Sequence, residues 1–219
     1  MPNQQRPDGP VISADVVPLL VGGDGPIRVL LSKRRFQPHR GQLALPGVLI
    51  LAGETVAEAC LRALDTKAGV DARSVRLLRM GWLSDSPVRD RRGHTISVSY
   101  IAVIDDEGAP ARKGNESFAI ADLPDDLPFD HTAIIERCLA QARDRLWDDA
   151  GELARALLGD RFTTPQAVSL LTDLDPSFNT TNTNRLLAKQ GCLERAAEPT
   201  ASGRGRPPST WTFASASPD

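Results

Sequence analysis

From Val11 to Val21 the chain is densely apolar, interrupted only by Ser13, Asp15 and Pro18. A run of this length bounded by turn residues predicts a buried strand. Ile27 to Ser32 predicts a second, and Gly22-Gly23-Asp24-Gly25-Pro26 between them predicts a turn, so the pair is expected to form a hairpin. Leu43 to Leu51 is apolar around a central Pro46-Gly47. From Thr55 to Ala68 the period changes: Val56, Ala59, Cys60, Ala63, Leu64 and Lys67 recur at three- and four-residue spacing until Gly69, which predicts a helix. Arg76 to Trp82 and Thr95 to Ile104 read as strands around a polar loop, Asp85 to Gly93, and Ile134 to Trp147 as an amphipathic helix. Strands mixed with two helices predict an α/β/α sandwich over residues 11–150.

The pattern then shortens. Asp148 to Gly159 reads as helix or linker, which places a boundary between about 148 and 161. Thr164 to Leu174 predicts a short helix with Ala167, Leu170 and Leu171 on its apolar face. A turn follows, then a second helix from Asn179 to Gln190, ended by Gly191. Cys192 to Phe213 fits two strands joined by a long Gly/Arg/Pro loop. Helix, turn, helix and hairpin is the order of a winged helix-turn-helix, expected here over residues 155–216. Residues 1–10 are polar and proline-bearing, and a disordered tail is expected.

Composition narrows the classes. The 219 residues, 41% hydrophobic and 25% charged, suit one large or two small globular domains. Val16 to Val21, the longest early apolar run, is too short to span a bilayer, and the opening residues lack a signal-peptide pattern. Cys60, Cys138 and Cys192 are widely spaced with no Cys-x-x-Cys pair, which argues against a disulfide framework or a zinc site and for a cytoplasmic location. A net charge of −2 excludes a polybasic binder. Yet between Asn179 and Phe213 five cations (Arg185, Lys189, Arg195, Arg204, Arg206) face only Glu194 and Glu198, a local basic patch suited to docking.

Leu45-Pro46-Gly47, Gly53-Glu54, Ala59, Leu61-Arg62, Leu64 and Gly69-Val70 resemble the Nudix hydrolase signature: Gly, five residues, Glu, seven residues, then Arg-Glu-apolar-x-Glu-Glu-x-Gly-apolar. Glu54 and Arg62 hold the required spacing. The departures are chemical. Val48 replaces the first glycine, and Ala63, Thr66 and Lys67 replace the three glutamates. Residues i, i+3 and i+4 share a helix face, so in the family these carboxylates converge on a divalent metal, which favours oxygen ligands. A methyl, a hydroxyl and an ammonium do not supply them. Asp65 points to another side. The metal that would lower the pKa of the attacking water is therefore not expected, and the domain reads as catalytically disabled, with no metal and no required cofactor. Glu54 and Arg62 are either a structural ion pair or ligand contacts. The resemblance implies a cleft for a nucleoside diphosphate linked to another group. Lys67 can hold a phosphate as a point charge. Arg34, Arg35 and Arg40 flank Phe36 and either add phosphate contacts or form a solvated basic loop. Trp82 either stacks an adenine or sits in the core. His39, His94 and His131 lack metal-ligand spacing and read as structural or surface residues.

The second helix opens with Asn179-Thr180-Thr181-Asn182-Thr183-Asn184, poor helix formers. An N-cap explains Asn179 alone. A recognition helix explains the rest, since its first residues meet base edges. Thr180, Thr181, Asn182, Asn184, Arg185 and Lys189 are the candidate DNA contacts. Arg204 and Arg206 join them, because Gly203-Arg204-Gly205-Arg206-Pro207 matches the core of the AT-hook, in which arginines enter a narrow minor groove.

This order also contains Phe129-Asp130-His131 before a helix, Arg161-Phe162-Thr163, and Trp211-Thr212-Phe213 after the loop. It resembles the Nudix-related transcriptional regulators, the NrtR family, along nearly the full chain. That resemblance implies a homodimeric repressor of NAD-metabolism genes on a palindromic operator of double-stranded DNA, released by ADP-ribose as effector. Two other classes stay open. An active Nudix hydrolase of a compound such as ADP-ribose needs metal ligands from outside the helix, with Asp85, Asp90 and Glu107 as donors. A protein-binding module is the third reading, because winged helices also bind proteins.

Overall fold

A computed structural model describes residues 9–22, 25–108, 112–196 and 208–214. They form two compact units. The first runs up to Leu20 and from Arg28 to Cys138. The second takes Val21–Ile27 and the chain from Leu139 onward.

The first unit is built on a seven-stranded sheet. Strand β1 (Val11–Val21) is buried from Ser13 onward, as its apolar run predicts. Its later residues pair antiparallel with β2 (Arg28–Lys33), Leu19 opposite Val29, which is the expected hairpin. Its earlier residues pair instead with β4 (Gly47–Leu49), Asp15 opposite Gly47. β3 (Leu43–Ala44) and β7 (Asn115–Ala119) both pair with β2. β5 (Val75–Ser84) and β6 (Thr95–Asp105) are long antiparallel partners, giving the order β3-β2-β1-β6-β5. β7 escapes sequence reading because Asn-Glu-Ser-Phe-Ala has neither an apolar run nor clean alternation.

Helix α1 (Val56–Ala63) starts at a capping box: the Thr55 hydroxyl accepts from Glu58 N–H, and the Glu58 carboxylate accepts from Thr55 N–H at 2.8 Å. The expected helix runs to Ala68, but its last turn, Leu64–Ala68, is a single π turn closed by Gly69 at φ +73°. Ala59, Cys60, Ala63, Leu64 and Ala68 pack against Ala14, Val16, Leu30, Ala102 and Ile104 to make the core beneath the sheet. Helix α2 (His131–Asp144) starts three residues before the expected Ile134 and stops before Trp147, and the division between the units falls within it, after Cys138.

In the second unit α3 (Glu152–Leu158) occupies the stretch read as helix or linker. β8 (Arg161–Thr163) leads into α4 (Thr164–Leu174), where Thr163 and Gln166 form a second capping box. The segment expected as one helix from Asn179 to Gln190 is shorter: a 3₁₀ turn at Thr180–Asn182, then α5 (Thr183–Leu187). Asn179 accepts from Thr181 N–H at 3.0 Å, so this short polar side chain caps a turn rather than entering a helix. β9 (Leu193–Arg195) and β10 (Thr210–Phe213) match the two expected strands, with β10 central in β8-β10-β9. The core is Leu153, Leu157, Phe162, Leu170, Leu171, Leu187 and Trp211, all buried. Among the described residues no helix is long and apolar enough to cross a membrane.

Candidate functional site

The first unit holds a cavity of about 260 Å³. Six segments reach it: Ser13 and Asp15 from β1, Ser32 to Gln37 at the end of β2 and beyond it, Leu45 and Gly47–Leu49, Lys67 from the π turn, Arg89, Asp90 and Arg92 from the loop before β6 with Thr95 at the start of that strand, and Phe129 with His131 at the start of α2. The volume lies just below the range of about 300–1,000 Å³ typical of small-molecule sites. Phe36, one of the lining residues, is 71% exposed.

One wall is cationic. Arg34 is anchored by Nε donating to Pro38 O at 2.9 Å, with its guanidinium 4.7 Å from the Phe129 ring centroid. Burial, then Arg92, lowers the Arg34 pKa. The Lys67 pKa is also lowered, by burial first and then by Arg34, Arg35 and Arg62. Arg34, Arg35 and Lys67 form no ion pair with a described carboxylate. Asp15 and Asp90 partly offset the charge on Arg34, but three like charges gathered on one wall still favour a polyanion.

The other polar lining groups form a paired network. Arg89, almost fully buried, donates to Asp130 at 2.6 and 2.7 Å and lies 3.4 Å from Asp15. Ser84 also donates to Asp130. Burial raises the Asp130 pKa, but the Arg89 and Ser84 hydrogen bonds outweigh it and hold the carboxyl below its ordinary value. Asp15 accepts from Ser97 Oγ at 2.5 Å. His131 is buried, and its Nδ1 accepts from Leu45 N–H at 3.0 Å. That bond puts the ring proton on Nε2, which faces Asp15 Oδ1 at 3.9 Å. Burial first of all pushes the His131 pKa down to about 4, so the ring is neutral at pH 7. Arg92 grips the buried Asp90 carboxylate in a fork, 2.7 Å at its shortest.

The sequence-predicted residues divide. Arg34, Arg35 and Lys67 line the cavity together. Arg40 is exposed in the same loop but is not among the lining residues. Glu54 and Arg62 bond each other at 2.6 and 2.7 Å, and Arg62 also donates to Leu49 O at 2.9 Å, so of their two readings the geometry is that of a structural pair. The Arg62 hydrogen bond holds the Glu54 pKa down at about 2. Trp82 is not a core residue: it is 40% exposed on β5, outside the lining of the cavity, with the Arg137 guanidinium 5.3 Å from its ring centroid. Thr180, Thr181, Asn182, Asn184, Arg185 and Lys189 are all exposed on the turn and α5, while Thr183 between them is buried. Arg204 and Arg206 lie outside the described residues, as do residues 1–8 of the expected tail. Sequence reading missed Asp15, Arg89, Arg92 and His131 as site residues. The arginine-rich loop and the Phe129-Asp130-His131 triplet were the available signals.

The metal of the Nudix signature does not fit the residues present. Ala63 is fully buried, the Thr66 hydroxyl donates back to Arg62 O at 2.6 Å, and Glu54 is taken by Arg62. Of the donors considered outside the helix, Asp85 bonds His94 at 2.7 Å and Glu107 is exposed beyond β6; neither lines the cavity, whereas Asp90 does. Among the described residues no three His, Cys, Asp or Glu side chains gather at metal-binding geometry.

The fold is that of an α/β protein, and the chain belongs to the Nudix family: residues 10–140 match the NUDIX domain. Over 114 residues it is 37% identical to an ADP-ribose pyrophosphatase of Methanocaldococcus jannaschii, a match that covers 50% of this chain and 64% of that protein. In fold it is similar to Shewanella oneidensis NrtR solved with a 27mer DNA, covering 93% of each chain with a TM-score of 0.69 at 24% identity. It is also similar to the NUDIX domain of that NrtR solved with ADP ribose, over 64% of this chain and 90% of that one, with a TM-score of 0.52 at 27% identity.

Proposed function

We propose that the chain is a DNA-binding transcriptional regulator, a repressor of NAD-metabolism genes, whose Nudix cavity binds ADP-ribose or a related nucleotide without hydrolysing it. The observation that carries this reading is the cavity wall: Lys67, where the signature places a metal-binding carboxylate, together with Arg34 and Arg35. Such a wall binds a diphosphate but lacks the means to activate water. The second unit supports the other half. α4, α5 and the β9–β10 hairpin follow winged helix-turn-helix order, with exposed Asn182, Arg185 and Lys189 at the second helix. The likeness to NrtR supports both partners. One winged helix reads few bases, so the protein acts as a cytoplasmic homodimer on a palindrome.

The test is a gel shift on the upstream region of the chain's own gene, with and without ADP-ribose. Binding that weakens about 5- to 150-fold with ligand supports the effector reading, and by linkage DNA must weaken ligand binding by the same factor. Operator affinity unchanged at saturating ADP-ribose refutes it.

A second reading is an ADP-ribose hydrolase. The identity to a pyrophosphatase favours it. Magnesium-dependent turnover of ADP-ribose at about 1 per second or faster would establish it.

A further inference from the structure

The Nudix signature brings a diphosphate to protein through a divalent cation bridging it to helix carboxylates. In this chain that helix face carries the opposite charge. Lys67 is half-buried at the end of the π turn and lines the same cavity as Arg34 and Arg35. The two carboxylates that also line it are already engaged: Asp15 by Ser97 and Arg89, Asp90 by the Arg92 fork. A hydrated magnesium ion entering here meets cations rather than free oxygen donors.

We propose that the cavity takes its diphosphate in the metal-free form, the Lys67 ammonium standing in for the divalent cation and Arg34 and Arg35 completing the cradle. This deepens the effector reading and rests on it. Magnesium opposes binding in two ways: it neutralises the diphosphate charge that the cations recognise, and it brings a dication against them. An effector recognised in this way is sensed independently of the metal that a Nudix enzyme needs.

The test is calorimetric titration of the full chain with ADP-ribose and, separately, with inorganic pyrophosphate, each in EDTA and in excess magnesium. The wild-type chain is expected to bind ADP-ribose at least as tightly in EDTA as in magnesium. Lys67→Gln is expected to weaken binding in EDTA by about tenfold or more, the scale of one lost charged hydrogen bond. Lys67→Glu is expected to weaken it further and to recover part of the loss when magnesium is added, because a carboxylate again offers the cation an oxygen ligand. Thermal unfolding of both variants checks that they fold. ADP-ribose binding about tenfold tighter in magnesium than in EDTA overturns the proposal and leaves the effector reading standing. Wild-type affinity in Lys67→Gln overturns it equally. If neither probe binds in either buffer, both fall together.

Discussion

The cavity and the α5 segment are both polar, yet they are built in opposite ways. The cavity gathers Asp15, Arg34, Lys67, Arg89 and His131 from segments spread over more than a hundred residues and ties several of them together below the surface. The α5 segment presents Thr180 to Lys189 from one continuous stretch, mostly exposed, with Thr183 and Leu187 turned into the core. In the first region the polar groups help to hold the protein together, and altering one changes the others. In the second the fold is held by the buried residues, and the exposed ones are free to serve recognition. Mutations in the cavity network should therefore cost stability, whereas those of α5 side chains that touch no other part of the fold should cost affinity alone.

The largest effect expected is at Arg89. Its guanidinium is almost fully buried between Asp130 and Asp15. Arg89→Met leaves both carboxylates without their cation, and breaking a buried pair in this way costs about 3–5 kcal/mol. Denaturant unfolding measures it. A loss below about 1 kcal/mol, as for an exposed pair, would remove the distinction between the two regions.

The next effect is acid sensitivity through His131. Its pKa is about 4 in the fold against an ordinary 6.5, so the unfolded chain takes up the proton first. Stability is fully present above about pH 6.5, falls as pH drops toward 4, and loses roughly 3 kcal/mol on this account. Protonation also removes the acceptor that Leu45 N–H uses. His131→Asn should flatten the pH dependence of stability across that window, measured by unfolding at a series of pH values. An unchanged slope means that other groups carry it.

The same contrast explains what could be read from the chain alone. The β1–β2 hairpin, α1, α4 and β10 were legible because each is a local pattern: an apolar run, a three-four period, or a turn cluster. The Asn179–Arg185 row was legible because its residues are contiguous. The cavity was half legible. Lys67 stood out because it breaks a signature, and Arg34 and Arg35 because they flank an aromatic. Asp15 lay inside a run read as buried strand, and nothing in the spacing ties it to Arg89, 74 positions on. His131 looked isolated because its partner, Leu45 N–H, is a backbone group 86 positions away. Convergence of this kind is a property of the fold, not of a window.

Gly47 tests how tightly that convergence is packed. A Cβ placed there falls 1.9 Å from Asp15 Oδ1, a side chain held by Ser97 and Arg89. Gly47→Ala should cost about 1–3 kcal/mol, as overpacking does, and should weaken ADP-ribose binding by displacing the cavity wall. A neutral result in thermal unfolding means that Asp15 moves freely and the network is slacker than its distances imply.

The smallest effects on stability, and the sharpest on recognition, are expected on α5, where two asparagines that look equivalent in sequence differ in surroundings. Asn184 Oδ1 accepts from Thr164 Oγ1 at 2.7 Å, and Thr164 in turn accepts from Trp211 Nε1 at 3.0 Å. Reading adenine in the major groove needs both the carbonyl and the amide of one asparagine. Asn184 Oδ1 already accepts from Thr164, whereas Asn182, exposed and with no side-chain capping bond, has both groups clear of that neighbour and is the reader expected here. Asn182→Ala should relax preference at one base position per half-site by about 1–3 kcal/mol and shift stability by no more than about 0.5 kcal/mol. Asn184→Ala should cost stability by removing the nearer of two acceptors of the Thr164 hydroxyl, which keeps Ser209 O at 3.3 Å, no more than about 0.5–1.5 kcal/mol for one hydrogen bond, with base preference largely kept. Lys189→Ala should weaken binding to all sequences alike and flatten the salt slope by about one unit, as a lost phosphate contact does. A panel of single-base operator variants, titrated at several salt concentrations beside thermal melts, separates the three. If Asn184→Ala relaxes the base preference while Asn182→Ala leaves it intact, the assignment of the reading residue is reversed. If all three bind DNA as the wild type does, this face serves a protein partner instead.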